Sequence, residues 1–302
     1  MPRFLARLPA SLAAGLVLSL ALAVIAPATP RQAAPDAAAN RSSRIRLIVR
    51  GDDMGSSHAA NEAVVRCYRD GVMRDVELMA VGPWFPEAAR LLRENPGLDV
   101  GLHLALTSEW ENVKWRPLTA APSLVEPDGF FHPMIWPGPH YGTARALRGQ
   151  PWKLAEIERE LRAQVELAKR EVPQLSHLSD HMGFQVLGPE VQALVRRLAA
   201  EYRVDIAPEA LGVRFVGWDG KPVTPEEKVA SFRRVVENLA PGTHLFVDHP
   251  ALDGPEMRAI GHVGYENVAL DRQGVTDAWT SAAAKQAVAR RGIELIGYKD
   301  LR

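Results

Sequence analysis

The stretch Ile45–Gly55, which reads Ile-Arg-Leu-Ile-Val-Arg-Gly-Asp-Asp-Met-Gly, decides the fold. Its first half, 45–49, is apolar and rich in β-branched residues, which is typical of a buried strand. Two adjacent carboxylates, Asp52 and Asp53, follow, and Asp and Gly favour turns over strands. Barrels of alternating strands and helices carry their active-site residues at the carboxyl ends of the strands, where we expect these aspartates to lie. On this stretch alone, an Asx-type turn with two solvated carboxylates is an equally good interpretation.

Apolar runs of strand length alternate with helical spacings along the rest of the chain. Further strands are predicted at 76–81, 100–106, 176–180, 204–207, 242–250 and 293–298. Helices are predicted from Ser56 or Ser57 to Gly71 and at 85–95, 154–172, 189–202, 225–239 and 279–290, with residues 251–277 irregular. Because strands that are joined through helices by short connections form parallel sheets, the sequence predicts an α/β fold. We expect a single distorted, TIM-like (β/α) barrel over residues 44–302.

Residues 108–151 interrupt this alternation after the third strand. The segment is rich in aromatic residues, prolines and glycines, and its aromatic content argues against disorder. A loop of this length in a compact domain usually has a function, and tryptophan faces pack well on flat partners such as sugar rings. Trp110 and Trp115 are therefore candidate substrate contacts. A small satellite core under a long loop is the alternative.

The overall composition excludes some classes of partner. The 302 residues carry 36 basic and 36 acidic side chains, so the formal net charge is zero and nothing indicates a nucleic-acid partner. Cys67 is the only cysteine, which excludes an intrachain disulfide and a thiolate metal cluster.

Residues 1–28 have the features of a secretion signal. Arg3 and Arg7 precede the apolar stretch 12–25, which small residues follow. That stretch is shorter than the roughly 20 residues that a transmembrane helix needs. We therefore expect a secreted or periplasmic protein without stable membrane insertion after cleavage; an uncleaved N-terminal anchor is the alternative. Residues 29–43, rich in Ala, Pro and Ser, are expected to form a disordered tether.

Five acidic or histidine side chains fall at the predicted carboxyl ends of strands: Asp52, Asp53, His103, His181 and His249. In a parallel barrel these ends meet on one face, so the side chains should converge. Two histidines with one carboxylate form a common ligand set for a divalent metal that keeps open positions for water and substrate. The second carboxylate would then be free to act as a base. A lone histidine inside an apolar strand, as His103 is, is more often a packed core residue, and only the convergence argues otherwise.

Four motifs, in this order, resemble those of the YdjC-like carbohydrate deacetylases (the ChbG/HpnK group), distant relatives of the NodB-type polysaccharide deacetylases. They are Leu-Ile-Val-Arg-Gly-Asp-Asp-Met-Gly at 47–55, Gly-Leu-His-Leu-Ala-Leu-Thr at 101–107, His-Leu-Ser-Asp-His-Met-Gly at 177–183 and Asp-His-Pro at 248–250. The resemblance covers about residues 45–302. The chain departs from the family pattern at Gly51, at Ser179 and Asp180, and at Met182 and Gly183.

The resemblance implies a role for each of the five converging residues. Asp53, His103 and His181 would hold the metal, Asp52 would be the base and His249 the general acid. The candidate substrate contacts are Arg50, Glu109, Trp110, Trp115 and His177. The ligand types suit Zn²⁺, whereas the resemblance implies Mg²⁺.

Together these assignments predict a hydrolase that removes N-acetyl groups from amino sugars in a glycan or glycoconjugate. One divalent metal ion (Mg or Zn) would be the cofactor and an acetylated carbohydrate the partner. Two alternatives stay open. A secreted carbohydrate-binding protein would keep the barrel without turnover, but binding alone needs neither Asp52 nor His249. A metal-dependent hydrolase of another bond, such as a phosphoester, usually has more cationic groups around its metal than the single Arg50.

Overall fold

The computed structural model describes residues 44–302, so the predicted signal peptide and tether lie outside the described residues. In this part of the chain, parallel strands form one seven-stranded sheet. The strands are β1 (Ile45–Met54), β2 (Asp75–Leu78), β3 (Asp99–Leu104), β4 (Leu175–Asp180), β5 (Arg214–Val216), β6 (Gly242–Asp248) and β7 (Glu294–Leu295). Their order across the sheet is β4-β3-β2-β1-β6-β5, with β7 beside β1.

Helices connect the strands. They are α1 (His58–Arg69), α2 (Phe85–Arg93), α3 (Leu154–Glu171), α4 (Pro189–Tyr202), α5 (Pro225–Asn238), α6 (Pro255–Arg258), α7 (Val268–Thr280) and α8 (Ala282–Arg290). The predicted α/β class with a parallel sheet is thereby confirmed, and the arrangement is consistent with a distorted barrel. None of the helices within 44–302 combines the length and the apolar composition needed to cross a membrane.

Hydrogen bonds do not close the barrel. Within residues 44–302 no ladder joins β4 to β5, the two edge strands of the sheet. A cavity of about 590 Å³ lies here, lined by Ser179 of β4, Phe215 of β5 and the side chain of Arg50. The inner face of the sheet is therefore accessible between these two strands.

The sequence of β1 shows how the two faces of the sheet differ. Leu47 and Val49 belong to the large core that also includes the helices, whereas Ile48 belongs to a smaller cluster on the inner face. Because side chains alternate along a strand, Arg50 and Asp52 continue the inner face. This face therefore changes from apolar to charged toward the carboxyl end of the strand.

β1 also runs further than its apolar composition predicts. It continues to Met54 because pairing with β2 resumes after a register shift between Gly51 and Met54. Helix α1 begins shortly afterwards, and Ser57, one of the two predicted caps, accepts a hydrogen bond from the backbone N of Ala60 at 3.0 Å. Pairing with a neighbouring strand thus outweighs the turn preference of the aspartates.

The strand predicted at 204–207 is wrong. Val204 and Ile206 are buried, as their alternation indicates, but the segment joins no ladder. Residues Arg214–Val216 pair with β6 instead and form β5. A buried extended connection and a strand share the same hydrophobic pattern, because only hydrogen-bond pairing distinguishes them.

The prediction that residues 251–277 are irregular is also wrong, since they contain α6 and most of α7. Helix α7 buries the polar side chains of Arg272 and Thr276 among its apolar ones, so it lacks the clear apolar stripe that reveals a helix in sequence. The single helix predicted at 279–290 is interrupted as well. Ser281 ends α7 and caps α8 with its side chain.

Residues 105–153 connect β3 to α3 through loops and three short 3₁₀ helices. Several of their apolar side chains, including Leu124, Phe131 and Leu147, are buried in the large core. The segment therefore packs onto the domain and covers part of the carboxyl end of the sheet, where it supplies Glu109 to the site described below.

Candidate active site

The two adjacent aspartates at the end of β1 face the same histidine. Neighbouring side chains on a regular strand point to opposite faces. Asp53, however, has a φ of 68°, a left-handed conformation that Asp adopts more readily than most residues. His103 Nε2 consequently lies 3.9 Å from Asp52 Oδ2 and 3.7 Å from Asp53 Oδ1. The turn is held by Ser56, whose backbone N and Oγ both donate to the carbonyl of Asp53.

Asp53, His103 and His181, which we call the upper cluster, meet at the carboxyl ends of β1, β3 and β4. Asp53 Oδ1 lies 3.3 Å from His181 Nδ1, and all three side chains are buried. Asp53 Oδ1 has no hydrogen-bond donor, although buried polar atoms normally have one. These residues therefore fit a shared cation, and their donor types are those of a His₂Asp metal centre.

The outward-facing ring nitrogens orient the two histidines. His181 Nε2 lies 2.9 Å from Glu109 Oε2, and because a carboxylate accepts, Nε2 carries a proton. His103 Nδ1 lies 2.6 Å from Ser179 Oγ, which fixes the orientation of that ring. The inward nitrogens then face Asp53. Metal-ligating histidines are commonly held by such partners, which set the tautomer and raise the basicity of the ligand.

The charges around the upper cluster favour a cation between its members. Burial alone would lower the pKa of His181, but the charge of Glu109 and the contacts with Asp53 outweigh burial and raise this pKa to about 10. Burial would likewise raise the pKa of Asp53, yet the charge of His249, the close contact with His181 and the charge of Arg272 hold it well below its ordinary value. Either a proton or a metal ion can occupy the position between Asp53 Oδ1 and His181 Nδ1.

Arg50, a predicted substrate contact, is engaged with protein groups. Its Nε and Nη2 donate to the two carboxylate oxygens of Asp52 at 2.8 and 3.0 Å, a two-point pair with fixed geometry. Its Nη1 donates to Tyr298 Oη at 2.9 Å. Only 13% of the side chain is exposed. Arg50 therefore orients the carboxylate of Asp52 and has little surface left for a substrate.

His249 follows the end of β6 and borders the upper cluster. Its Nε2 lies 3.8 Å from Asp53 Oδ2 and its Nδ1 lies 3.3 Å from Asp248 Oδ1. Asp248 is itself held by Trp218, whose Nε1 donates to Oδ2 at 2.7 Å. Burial lowers the pKa of His249, but the charge of Asp53 and the hydrogen bond with Asp248 produce a net rise. The side chain is 37% exposed, so this histidine can reach a bound molecule.

The sequence interpretation missed Arg272, which lies in α7. Its Nη2 donates to Asp53 Oδ2 at 3.0 Å, and the side chain is buried. Asp53 thus offers one oxygen to Arg272 and the other to the two histidines. The only signal in the sequence is an arginine within a polar stretch, and it becomes interpretable only when that stretch is recognised as a helix from which Arg272 reaches the end of β1.

The other predicted substrate contacts lie in different surroundings. Glu109 binds His181 and so orients a candidate ligand. Trp110 is buried, stacked on His262 at 5.6 Å between ring centroids. Trp115 is buried too, and its Nε1 donates to the carbonyl of Thr107 at 2.6 Å. These contacts favour the satellite-core interpretation of both tryptophans. His177 is fully buried below the site, where no substrate reaches it in this conformation.

The fold and the site together define an α/β protein with a candidate divalent-metal centre at the carboxyl ends of its parallel strands. A family model described as YdjC-like protein matches residues 46–290, and the chain belongs to this family. The resemblance of the four motifs is thereby confirmed.

The chain is similar in sequence to two curated relatives and in structure to one solved protein. The carbohydrate deacetylase of Thermus thermophilus is 33% identical over 238 residues, which cover 71% of this chain and 80% of that protein. The chitooligosaccharide deacetylase of Proteus mirabilis is 29% identical over 270 residues, covering 84% and 98%. A crystal structure from Enterococcus faecalis V583, described as a candidate cellobiose-phosphate cleavage protein, has a TM-score of 0.65 at 21% identity, covering 86% of this chain and 99% of that one. At this identity the structural likeness shows a shared fold.

Proposed function

We propose that the protein is a metal-dependent hydrolase that removes N-acetyl groups from amino sugars of a glycan or glycoconjugate. The observation that carries this proposal is the upper cluster, whose buried Asp53 Oδ1 lacks a donor while two oriented histidines face it. The names of the two relatives, a carbohydrate deacetylase and a chitooligosaccharide deacetylase, support the substrate class.

Asp53, His103 and His181 would hold the divalent ion, Mg²⁺ or Zn²⁺. Bound there, the ion would polarise the acetamide carbonyl and make water more acidic. Asp52 lies beside the cluster, is fixed by Arg50 and is positioned to take a proton from the attacking water. His249, held by Asp248 and partly exposed, is positioned to donate a proton to the leaving amine.

The two alternatives are less well supported by the contacts of the site. Carbohydrate binding alone does not require both an oriented carboxylate, Asp52, and a histidine with a raised pKa, His249, beside one metal site. A phosphoester hydrolase needs free cationic groups for the phosphoryl oxygens. Both arginines beside the upper cluster, Arg50 and Arg272, already pair with Asp52 and Asp53.

The predicted signal at 1–28 supports a secreted or periplasmic location, with a substrate outside the cytoplasm. N-terminal sequencing of the mature protein should find a start near residue 29. A mature chain that keeps residues 1–28 in the membrane fraction would favour the anchor instead.

Acetate release tests the proposed activity. The purified protein is treated with a chelator, supplied with Mg²⁺ or Zn²⁺ and incubated with acetylated chitooligosaccharides or a generic phosphoester. We expect acetate release that the chelator abolishes and one of the metals restores. Sugar binding without acetate release would favour the binding protein, and phosphate release alone would favour the phosphoester hydrolase.

A further inference from the structure

A second group of charged side chains lies one step below the upper cluster on the inner face of the sheet. Asp75, Glu77 and His177, which we call the lower cluster, come from β2 and β4 and are fully buried. Glu77 pairs across the strands with Gly101, and Gly101 with His177. The next inner-face level on these strands is that of the upper cluster, since His103 lies two residues beyond Gly101.

The lower cluster makes close contacts with Arg50. His177 Nε2 lies 2.9 Å from Glu77 Oε1 and 3.5 Å from Asp75 Oδ1. Arg50 Nη1 lies 3.4 Å from Glu77 Oε1. Gly101 makes room for this arrangement, because a Cβ at that position would lie 2.4 Å from both Glu77 Oε2 and His177 Nε2.

The lower cluster supplies its own cation. Ser176 Oγ donates to Asp99 Oδ1 at 2.7 Å, so its oxygen is left to accept from His177 Nδ1 at 2.8 Å. His177 Nε2 donates to Glu77, and the ring therefore carries two protons and a positive charge. The pKa agrees in direction: burial lowers it, but the charges of Glu77 and Asp75 raise it to about 10. This cation and Arg50 balance the charges of the two buried carboxylates.

We propose that Glu77 and His177 are positioning residues for Asp52 and act through Arg50. Arg50 connects the lower cluster to Asp52. Its Nε and Nη2 hold the carboxylate of Asp52, whereas its Nη1 donates to Tyr298 and lies next to Glu77. A guanidinium is planar, so an anchor on one nitrogen fixes the direction of the other two. His177 in turn fixes the carboxylate of Glu77. This inference rests on the proposed role of Asp52 as the base.

The test compares Glu77→Gln with Arg50→Lys and with the double variant, using acetate release from N-acetylated chitooligosaccharides. In Glu77→Gln we expect kcat to fall about 10- to 100-fold, the effect of a small misplacement of a catalytic group. KM and metal content should stay as in the wild type. Arg50→Lys keeps the charge but loses the planar pair. In the Arg50→Lys background the Glu77→Gln change should therefore have little further effect, because both substitutions disturb the same pairing of Arg50 with Asp52.

Two further variants keep the test decisive. Tyr298→Phe removes only the hydroxyl that accepts from Arg50 and is expected to lower kcat several-fold even if Glu77→Gln fails to fold. Glu160→Gln is the matched control, since Glu160 is a fully buried carboxylate that binds the backbone N of Leu118 and Thr119. It should lower the melting temperature and leave kcat unchanged.

Three results would overturn the inference: wild-type kcat in a folded Glu77→Gln protein, independent losses in the double variant, or loss of metal from Glu77→Gln. Failure of the proposed function gives a different result. In that case the wild type itself releases no acetate, or Asp52→Asn remains fully active.

Discussion

The upper cluster contains one carboxylate and two histidines, the lower cluster contains two carboxylates and one histidine, and the two differ in what balances their charge. Each brings buried carboxylate and histidine side chains within reach of a shared ion. In the lower cluster the histidine nitrogen that faces the carboxylates donates a proton to them. In the upper cluster Glu109 holds one proton of His181 on the outer side of the ring, and the inner Nδ1 faces Asp53, where a metal ion can replace its proton. The second carboxylate and Arg50 thus make the lower cluster an internal ion-pair network, whereas the upper cluster presents two histidine nitrogens to one carboxylate oxygen.

The two clusters also differ in how far ions and substrates can reach them. His249 beside the upper cluster is 37% exposed, whereas the three residues of the lower cluster have no exposed surface. Ions and substrates can therefore reach the upper cluster, whereas the buried lower cluster can have only a structural or positioning role.

The largest effect is expected from removing a ligand of the upper cluster. Asp53→Asn or His181→Ala should abolish metal binding and turnover, because an amide is a neutral, poorer ligand and alanine is none. Asp75→Asn in the lower cluster is the matched control. Burial raises the pKa of Asp75 to about 7, so a neutral side chain is tolerated there and metal content should not change. Metal analysis after dialysis measures both, and full metal content in Asp53→Asn would refute the ligand assignment.

Asp52→Asn should affect the rate without affecting the metal. Asp52 is paired with Arg50 and is not a member of the upper cluster. Losing a general base is expected to lower kcat by about 10²–10⁴. Acetate release and metal stoichiometry are measured on the same preparation. Loss of metal in Asp52→Asn with retention in Asp53→Asn would mean that the two roles are exchanged.

Glu109→Gln tests the partner that orients His181. The amide can accept the same hydrogen bond but removes the negative charge that strengthens the histidine as a ligand. We expect metal affinity to fall about 10- to 100-fold, with activity recovered at high metal concentration. A titration of activity against Mg²⁺ or Zn²⁺ measures the shift. Unchanged affinity would indicate that Glu109 contacts the substrate, as predicted from the sequence.

The smallest effect concerns stability and pH. The folded-state pKa of His177 is raised from 6.5 to about 10, so the stabilisation it provides is fully present below pH 6.5 and is lost as the pH rises through 10. The melting temperature of the wild type should therefore exceed that of His177→Gln most at pH 6.5 and by less at pH 10. A change of about 2–4 °C corresponds to 1 kcal/mol in a domain of this size. A constant difference across this range would show that His177 is not charged.

The sequence predicts the framework of the candidate site because its candidate ligands lie at or just after the ends of predicted strands. The run at 45–49 leads directly to Asp53, and His103 and His181 lie at the ends of β3 and β4. Local pattern identifies such strands, and parallel topology then brings their ends together.

The partners of the candidate ligands could not be predicted in the same way. Arg272 approaches Asp53 from a helix whose buried face is partly polar, and Glu109 reaches His181 from a segment without regular structure. Trp110 was a candidate for sugar stacking by composition, but Arg272 and His262 cover its ring. Such contacts depend on the packing of distant segments, which periodicity along the chain does not encode.

The most direct test of the difference between the two clusters is to locate the metal ion. Crystals of the protein soaked with Zn²⁺ or Mn²⁺ would be measured at the absorption edge of the metal. We predict one anomalous peak, between Asp53 Oδ1, His181 Nδ1 and His103 Nε2. A peak among Asp75, Glu77 and His177, or no peak near Asp53 at saturating metal, would contradict the account.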